Sequence, residues 1–196
     1  MKKIFVILTT ILLLCGCSNT VSNKAAHVKP DISMEYEQYS DLSFMSEEQR
    51  EFYDENISLI CRICADATSL PYSAKMNNNT FYTVVINDKN YVIFDILFDN
   101  FKSDLLKVYT ESEADWLTSE KYQEYNGYVA AIDASMPIIT NVEESIYEVY
   151  VNDKNRLVFT SITVVDEKSG LNDGYLIELV LTEEGWRVNY AGYKSL

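Results

Sequence analysis

The chain has 196 residues, with 30 Asp or Glu against 16 Lys or Arg and a formal net charge of −14 at pH 7. Nucleic-acid phosphates and anionic lipid head groups repel such a surface, which excludes nucleic-acid binding and electrostatic membrane attachment as its main roles. Hydrophobic residues make up 47% with only six Gly and three Pro, a globular composition. Its 15 Tyr are either a wet-edged binding surface or the ordinary boundary residues of strands and helices.

Met1-Lys2-Lys3 is followed by a run from Ile4 to Leu14 that is apolar apart from Thr9 and Thr10. A charged start and a short apolar core form an export signal. Spanning a hydrocarbon layer about 30 Å thick would take about 20 such residues, so the run is too short to remain as a membrane span. It ends in Leu14-Cys15-Gly16-Cys17, which resembles a bacterial lipobox. That resemblance implies cleavage between Gly16 and Cys17, a diacylglycerol thioether on Cys17, and Cys15 as a small spacer discarded with the signal. Residues 1–16 are therefore expected to be a lipoprotein signal peptide, and their removal takes away Lys2 and Lys3, leaving a charge of −16. Each buried methylene contributes about 0.8 kcal/mol and two acyl chains give stable anchoring. The expected location is the extracytoplasmic face of the cell membrane, with the lipid on Cys17 as the membrane contact. The signal and the Asn/Lys/Tyr usage resemble those of low-GC Gram-positive lipoproteins.

Residues 17–45 read as a lipid-anchored flexible tether. Ser18 to Lys24 is polar, Pro30 interrupts any helix, and no apolar period persists. A flexible linker of this length has a root-mean-square span of about 30 Å. The chain's single histidine, His27, lies within it.

Residues 46–196 read as one α+β globular domain. Ser46-Glu47-Glu48-Gln49 has the form of a capping box. Tyr53, Ile57, Ile60, Cys61 and Cys64 then recur at helical spacing, predicting a helix that ends near Ala67, before Leu70-Pro71. Asn77-Asn78-Asn79 marks a loop, and Phe81 to Ile86 is a strand by its β-branched and aromatic content. A turn at Asn87-Asp88-Lys89-Asn90 would make the next residues a strand, yet Phe94, Leu97, Phe98, Phe101, Leu105 and Val108 form a helical stripe. A helix is expected over Phe98 to Val108, with residues 91–97 open between the two. Ser119-Glu120-Lys121-Tyr122 predicts another helix to about Ala134, closed by Pro137. Ile146 to Val151, Leu157 to Val165, Tyr175 to Leu181 and Trp186 to Tyr190 predict an antiparallel meander of about four strands. Asn-Asp-Lys-Asn occurs at 87–90 and again at 152–155, a repeated turn chemistry.

The stretches FKSDLLKVYTESEADWLTSEKYQEY and LTEEGWRVNY, with Gly185-Trp186-Arg187-Val188 in the second, resemble the nuclear transport factor 2-like superfamily. More narrowly, they are similar to small accessory domains of bacterial lipoproteins and of some penicillin-binding proteins. The resemblance implies N-terminal helices packed on a curved C-terminal antiparallel sheet of about four strands, with a pocket between them. Trp116, Trp186 and Tyr190 are the candidate pocket-lining residues. Enzymes of this superfamily usually rely on a buried Asp–His pair. No histidine is expected in the folded part of this chain, which leaves Asp115 and Asp133 as acid–base candidates.

Cys61-Arg62-Ile63-Cys64 falls within the first predicted helix, on its apolar stripe, away from the helix N-terminus that a redox-active pair requires. It reads either as two buried thiols or as a local disulfide across one helical turn. No further cysteine pair or histidine stands near it to complete a metal site, and no phosphate loop or catalytic triad pattern occurs, so no metal or cofactor is expected. The functional expectation is a non-catalytic, lipid-anchored extracytoplasmic binding or scaffold module acting on a protein, peptide or small ligand. The alternatives are a small enzyme using a pocket carboxylate, or an immunity lipoprotein whose acidity suits a cationic antimicrobial peptide.

Overall fold

The computed structural model describes residues 27–32, 35–64, 81–132, 145–166 and 171–193. In chain order its elements are β1 (Glu37–Tyr39), α1 (Glu47–Cys64), β2 (Phe81–Ile86), β3 (Lys89–Leu97), α2 (Phe98–Val108) and α3 (Glu111–Trp116). A π-helical turn (Leu117–Lys121) follows, then β4 (Tyr122–Tyr125), β5 (Tyr128–Ile132), β6 (Ser145–Asn152), β7 (Arg156–Asp166), β8 (Leu171–Thr182) and β9 (Gly185–Tyr193). The strands form a five-stranded sheet in the order β1-β6-β7-β8-β9 and a four-stranded sheet in the order β2-β3-β5-β4. All strand pairs are antiparallel. The molecule is thus α+β, with more strand than the sequence led one to expect.

Local chemistry explains most of the boundaries. At the start of α1, the Ser46 N–H donates to Gln49 Oε1 at 2.8 Å and the Gln49 N–H donates to Ser46 Oγ at 3.3 Å, the reciprocal capping box. In α2 the stripe closes as expected, with Phe101, Leu105 and Val108 buried. Residues 91–97 belong to β3, because Asn87 and Asp88 take positive φ (50° and 62°) and turn β2 back on itself. Tyr91, Val92, Ile93 and Phe94 are all buried, so the run is covered on both faces and carries no alternation to distinguish it from a helix.

The helix expected from Ser119 to about Ala134 is not formed. The π-helical turn ends at Lys121 and a β-hairpin follows, turning at Asn126 (φ 52°) and Gly127 (φ 84°). Asn-Gly between aromatic and β-branched residues favours a two-residue hairpin loop, and that preference outweighs the Ser-Glu helix start. Asp133 lies outside the described residues. The two Asn-Asp-Lys-Asn stretches also part company. The second has no positive φ, and its Asp153 closes the turn by accepting from the Asn155 N–H at 3.0 Å.

The folded part begins before Ser46, which corrects the reading of 17–45 as tether throughout. Glu37 to Tyr39 pair with β6, and Phe44 and Met45 are buried in the core. The Phe44 ring meets Tyr39 at 5.2 Å, Phe159 at 5.5 Å and Tyr147 at 5.7 Å. Aromatic area of this size is not left in water when a sheet edge is at hand. The main cluster takes Tyr53, Ile60 and Ile63 from α1, Val92 and Phe94 from β3, and Leu157, Phe159, Ile177 and Val188 from the larger sheet. On that sheet's other face, Val158, Leu176 and Tyr190 form a smaller cluster against which Ile32 packs. Among the described residues no helix is long and apolar enough to cross a membrane.

Candidate functional site

After α2 the chain runs briefly beside β9. Tyr109 pairs with Val188 in a parallel bridge, and the Thr110 N–H donates to the Val188 carbonyl at 2.9 Å. Thr110 is also the N-cap of α3, its Oγ1 accepting from the Glu113 N–H at 3.4 Å and donating to Asn189 Oδ1 at 3.2 Å. Asn189 donates to Glu178 Oε2 at 2.8 Å, and Arg156 Nε donates to Glu178 Oε1 at 2.6 Å. A polar chain from β7 through β8 and β9 therefore fixes where α3 begins.

Thr110-Glu111-Ser112-Glu113 has the form of a second capping box, but only its threonine half is made. The Thr110 N–H that Glu113 would have accepted is spent on Val188, so the Glu113 carboxylate is released for another partner. Glu113 is 2% exposed, and Trp116, three residues on, shares its helical face.

The partner of Glu113 is His27. Its ring lies between Trp116, with centroids 3.8 Å apart and planes at 13°, and Tyr190, at 4.4 Å and 21°. Its Nδ1 is 2.9 Å from Glu113 Oε2, while Glu113 Oε1 has no hydrogen-bond partner among the described residues. The expectation of a folded part without histidine is corrected here. His27 sits eighty-six positions from Glu113, on a segment whose polar neighbours suggested a tether, and no local pattern announces the contact. The one signal within reach was the Thr-x-x-Glu at 110–113.

Lys121 Nζ lies 5.6 Å from the Trp116 ring centroid and donates to the Ile63 carbonyl at 3.1 Å, joining the end of α1 to the same site. A Cβ on Gly192 would come within 2.8 Å of Tyr190 Oη and 3.1 Å of its ring, so the absent side chain leaves room for the Tyr190 ring on its strand. Gly192→Val is expected to swing Tyr190 off His27 and to destabilise the fold by about 1–3 kcal/mol, as overpacking does. Chemical denaturation together with tyrosine and histidine NMR shifts checks this, and unchanged histidine shifts would contradict the geometry.

Trp116 and Tyr190 are thus brought together, and Trp186 is not. Trp186 lines a separate cleft of about 560 Å³ with Phe44, Met45, Gln49, Asn152 and Leu181. Its buried Nε1 has no hydrogen-bond partner among the described residues. Asp115 is half-exposed and ion-paired with Lys102 at 2.9 Å, an arrangement of surface charges. Cys61 and Cys64 fall in the last turn of α1, and their side chains lie outside the described residues, as does Cys17 with the whole signal segment.

Two parallel aromatic faces over a buried carboxylate select a flat group with N–H donors, through stacking, cation–π attraction and a charge-assisted hydrogen bond. As an acid–base pair the same residues are poorly disposed: both faces of the His27 ring are covered and Nδ1 is engaged. No protein-family model matches the chain, and a search of curated proteins finds no match to it.

Proposed function

We propose that this protein is a non-catalytic binding module, exported and held at the extracytoplasmic face of the membrane by a lipid on Cys17, whose ligand or peptide partner engages the space around Trp116 and Tyr190. We extend the proposal to the domain type, a nuclear transport factor 2-like unit with its first helix packed on a curved sheet. The observation that carries the binding reading is the slot formed by Trp116, Tyr190 and Glu113, which already holds one planar side chain. The charge of −16 that remains once Lys2 and Lys3 are removed with the signal favours a cationic partner. Ten peptide units separate Cys17 from His27, so at full extension the slot stands no more than about 36 Å from the anchoring residue.

Cys17→Ala is expected to abolish incorporation of an alkyne-labelled fatty acid fed to the cells, since the acyl chains are attached through that cysteine. Labelling that persists in the variant would overturn the anchor. Crosslinking and pull-down from intact cells expressing each form tests the binding role. A cationic peptide or protein captured by the membrane-held form supports it, and capture of nothing by either form counts against it.

A further inference from the structure

The occupant of the slot is part of the chain itself. We infer that His27 is an internal stand-in for an external ligand, and that the slot is built for a guanidinium group, the arginine side chain of a peptide, which competes with His27 for it. This rests on the reading of the domain as a binding module and gives that module its ligand class.

Three observations lead there. The Trp116 and Tyr190 rings lie on either side of one planar layer, each within 21° of parallel to it, which a flat cation fills and a tetrahedral ammonium does not. The Glu113 carboxylate is half used: His27 engages Oε2, and the buried Oε1 has no partner among the described residues. A ring nitrogen reaches one oxygen only, whereas a guanidinium presents two parallel N–H donors to both. The segment that carries His27, residues 27–32, contains no helix or strand, so its withdrawal breaks no strand pairing. Trp116 already draws one cation, Lys121, but the carbonyl of Ile63 holds that ammonium 5.6 Å from the ring centroid.

The test uses the full-length chain in mild detergent with Trp186→Phe, which leaves Trp116 as the one tryptophan of the two in the sequence. N-acetylarginine amide is titrated into this protein and into the same protein with His27→Gly, following Trp116 emission, with N-acetyllysine amide as the control. His27→Gly is expected to bind the arginine probe saturably and at least about tenfold more tightly than the form with His27, because the internal ligand no longer occupies the site. Adding Glu113→Gln is expected to weaken that binding by about tenfold or more, as loss of a charge-assisted fork does. Equal affinity with and without His27, equal response to the lysine probe, or no saturable response overturns the inference.

A second measurement does not depend on the variant folding. His27 is the chain's single histidine, so its imidazole resonances stand alone in the wild-type spectrum. They are expected upfield of the free position through the ring currents of Trp116 and Tyr190, and to move to the free position when the arginine probe saturates. Resonances that start at the free position, or that ignore the probe, overturn the inference. A partner captured by the membrane-held protein alongside an unresponsive slot would remove this inference alone, whereas failure of both would remove the binding reading as well.

Discussion

Phe159→Ala is expected to destabilise the protein by about 3–5 kcal/mol and to lower its melting temperature by about 6–20 °C. Phe159 lies on β7, the middle strand of the five, and is fully buried. Its ring meets Phe44 at 5.5 Å, Tyr53 of α1 at 5.5 Å and Tyr147 of β6 at 6.3 Å. These three rings hang from different elements, so none can slide into the space that truncation leaves. The cavity term therefore stays near its upper range. Phe159→Leu keeps most of the volume and is expected to cost less than about 1.5 kcal/mol. Val85→Ala, on an exposed strand position, is expected to stay within about 0.5 kcal/mol of wild type. Urea unfolding followed by circular dichroism orders the three. A Phe159→Ala loss below about 1 kcal/mol would mean that the segment before α1 and α1 itself do not close over this strand.

The parts of this fold that were legible in the sequence are those whose causes are local. Ser46 and Gln49 cap α1 because the reciprocal bonds need only residues three apart, and α2 follows from a stripe with one wet face. β6 to β9 follow from strand-forming runs separated by turn residues. The failures have physical reasons too. Tyr91 to Phe94 are buried on both faces, so no periodicity separates strand from helix there. In the β4–β5 hairpin, Ala130 and Ala131 look like helix formers, and only the backbone preference of Asn126-Gly127 says otherwise. Residues 37–45 looked like linker because one short edge strand and two buried side chains make too little pattern to see.

The candidate site was half legible. Trp116 and Tyr190 were nominated as pocket-lining residues, but nothing in the chain says that they face each other. Their meeting depends on Thr110 bonding to Asn189, seventy-nine positions away, and on Gly192 leaving room for the Tyr190 ring. Trp186 has the same chemistry and went to a different cleft: the two stand four apart on β9, where strict alternation would give them one face, but the register shift against Glu178 and Leu179 falls between them and places the Tyr190 ring in the smaller cluster with Val158 and Leu176. Composition can nominate such residues, and register decides among them.

His27→Ala is expected to cost about 1–3 kcal/mol, a large effect for a residue ahead of the first strand, because it leaves a buried carboxylate without its partner. His27 supplies the one hydrogen bond to the Glu113 side chain among the described residues, and it covers facing sides of Trp116 and Tyr190. The cost depends on Glu113 more than on the lost stacking, and a double-mutant cycle separates the two. Glu113→Leu removes the charge that requires a partner, so His27→Ala made on that background is expected to cost less than half as much. Replacing both members of a buried polar pair by apolar groups is often close to neutral, while removing one is not. The cycle should therefore return a coupling of about 1–2 kcal/mol, within the range found for residues in direct contact. A coupling near zero would mean that His27 rests against the domain without being bound by it. A coupling of the expected size makes it a latch, and gives an external cation that reaches Glu113 a defined amount of binding energy to displace.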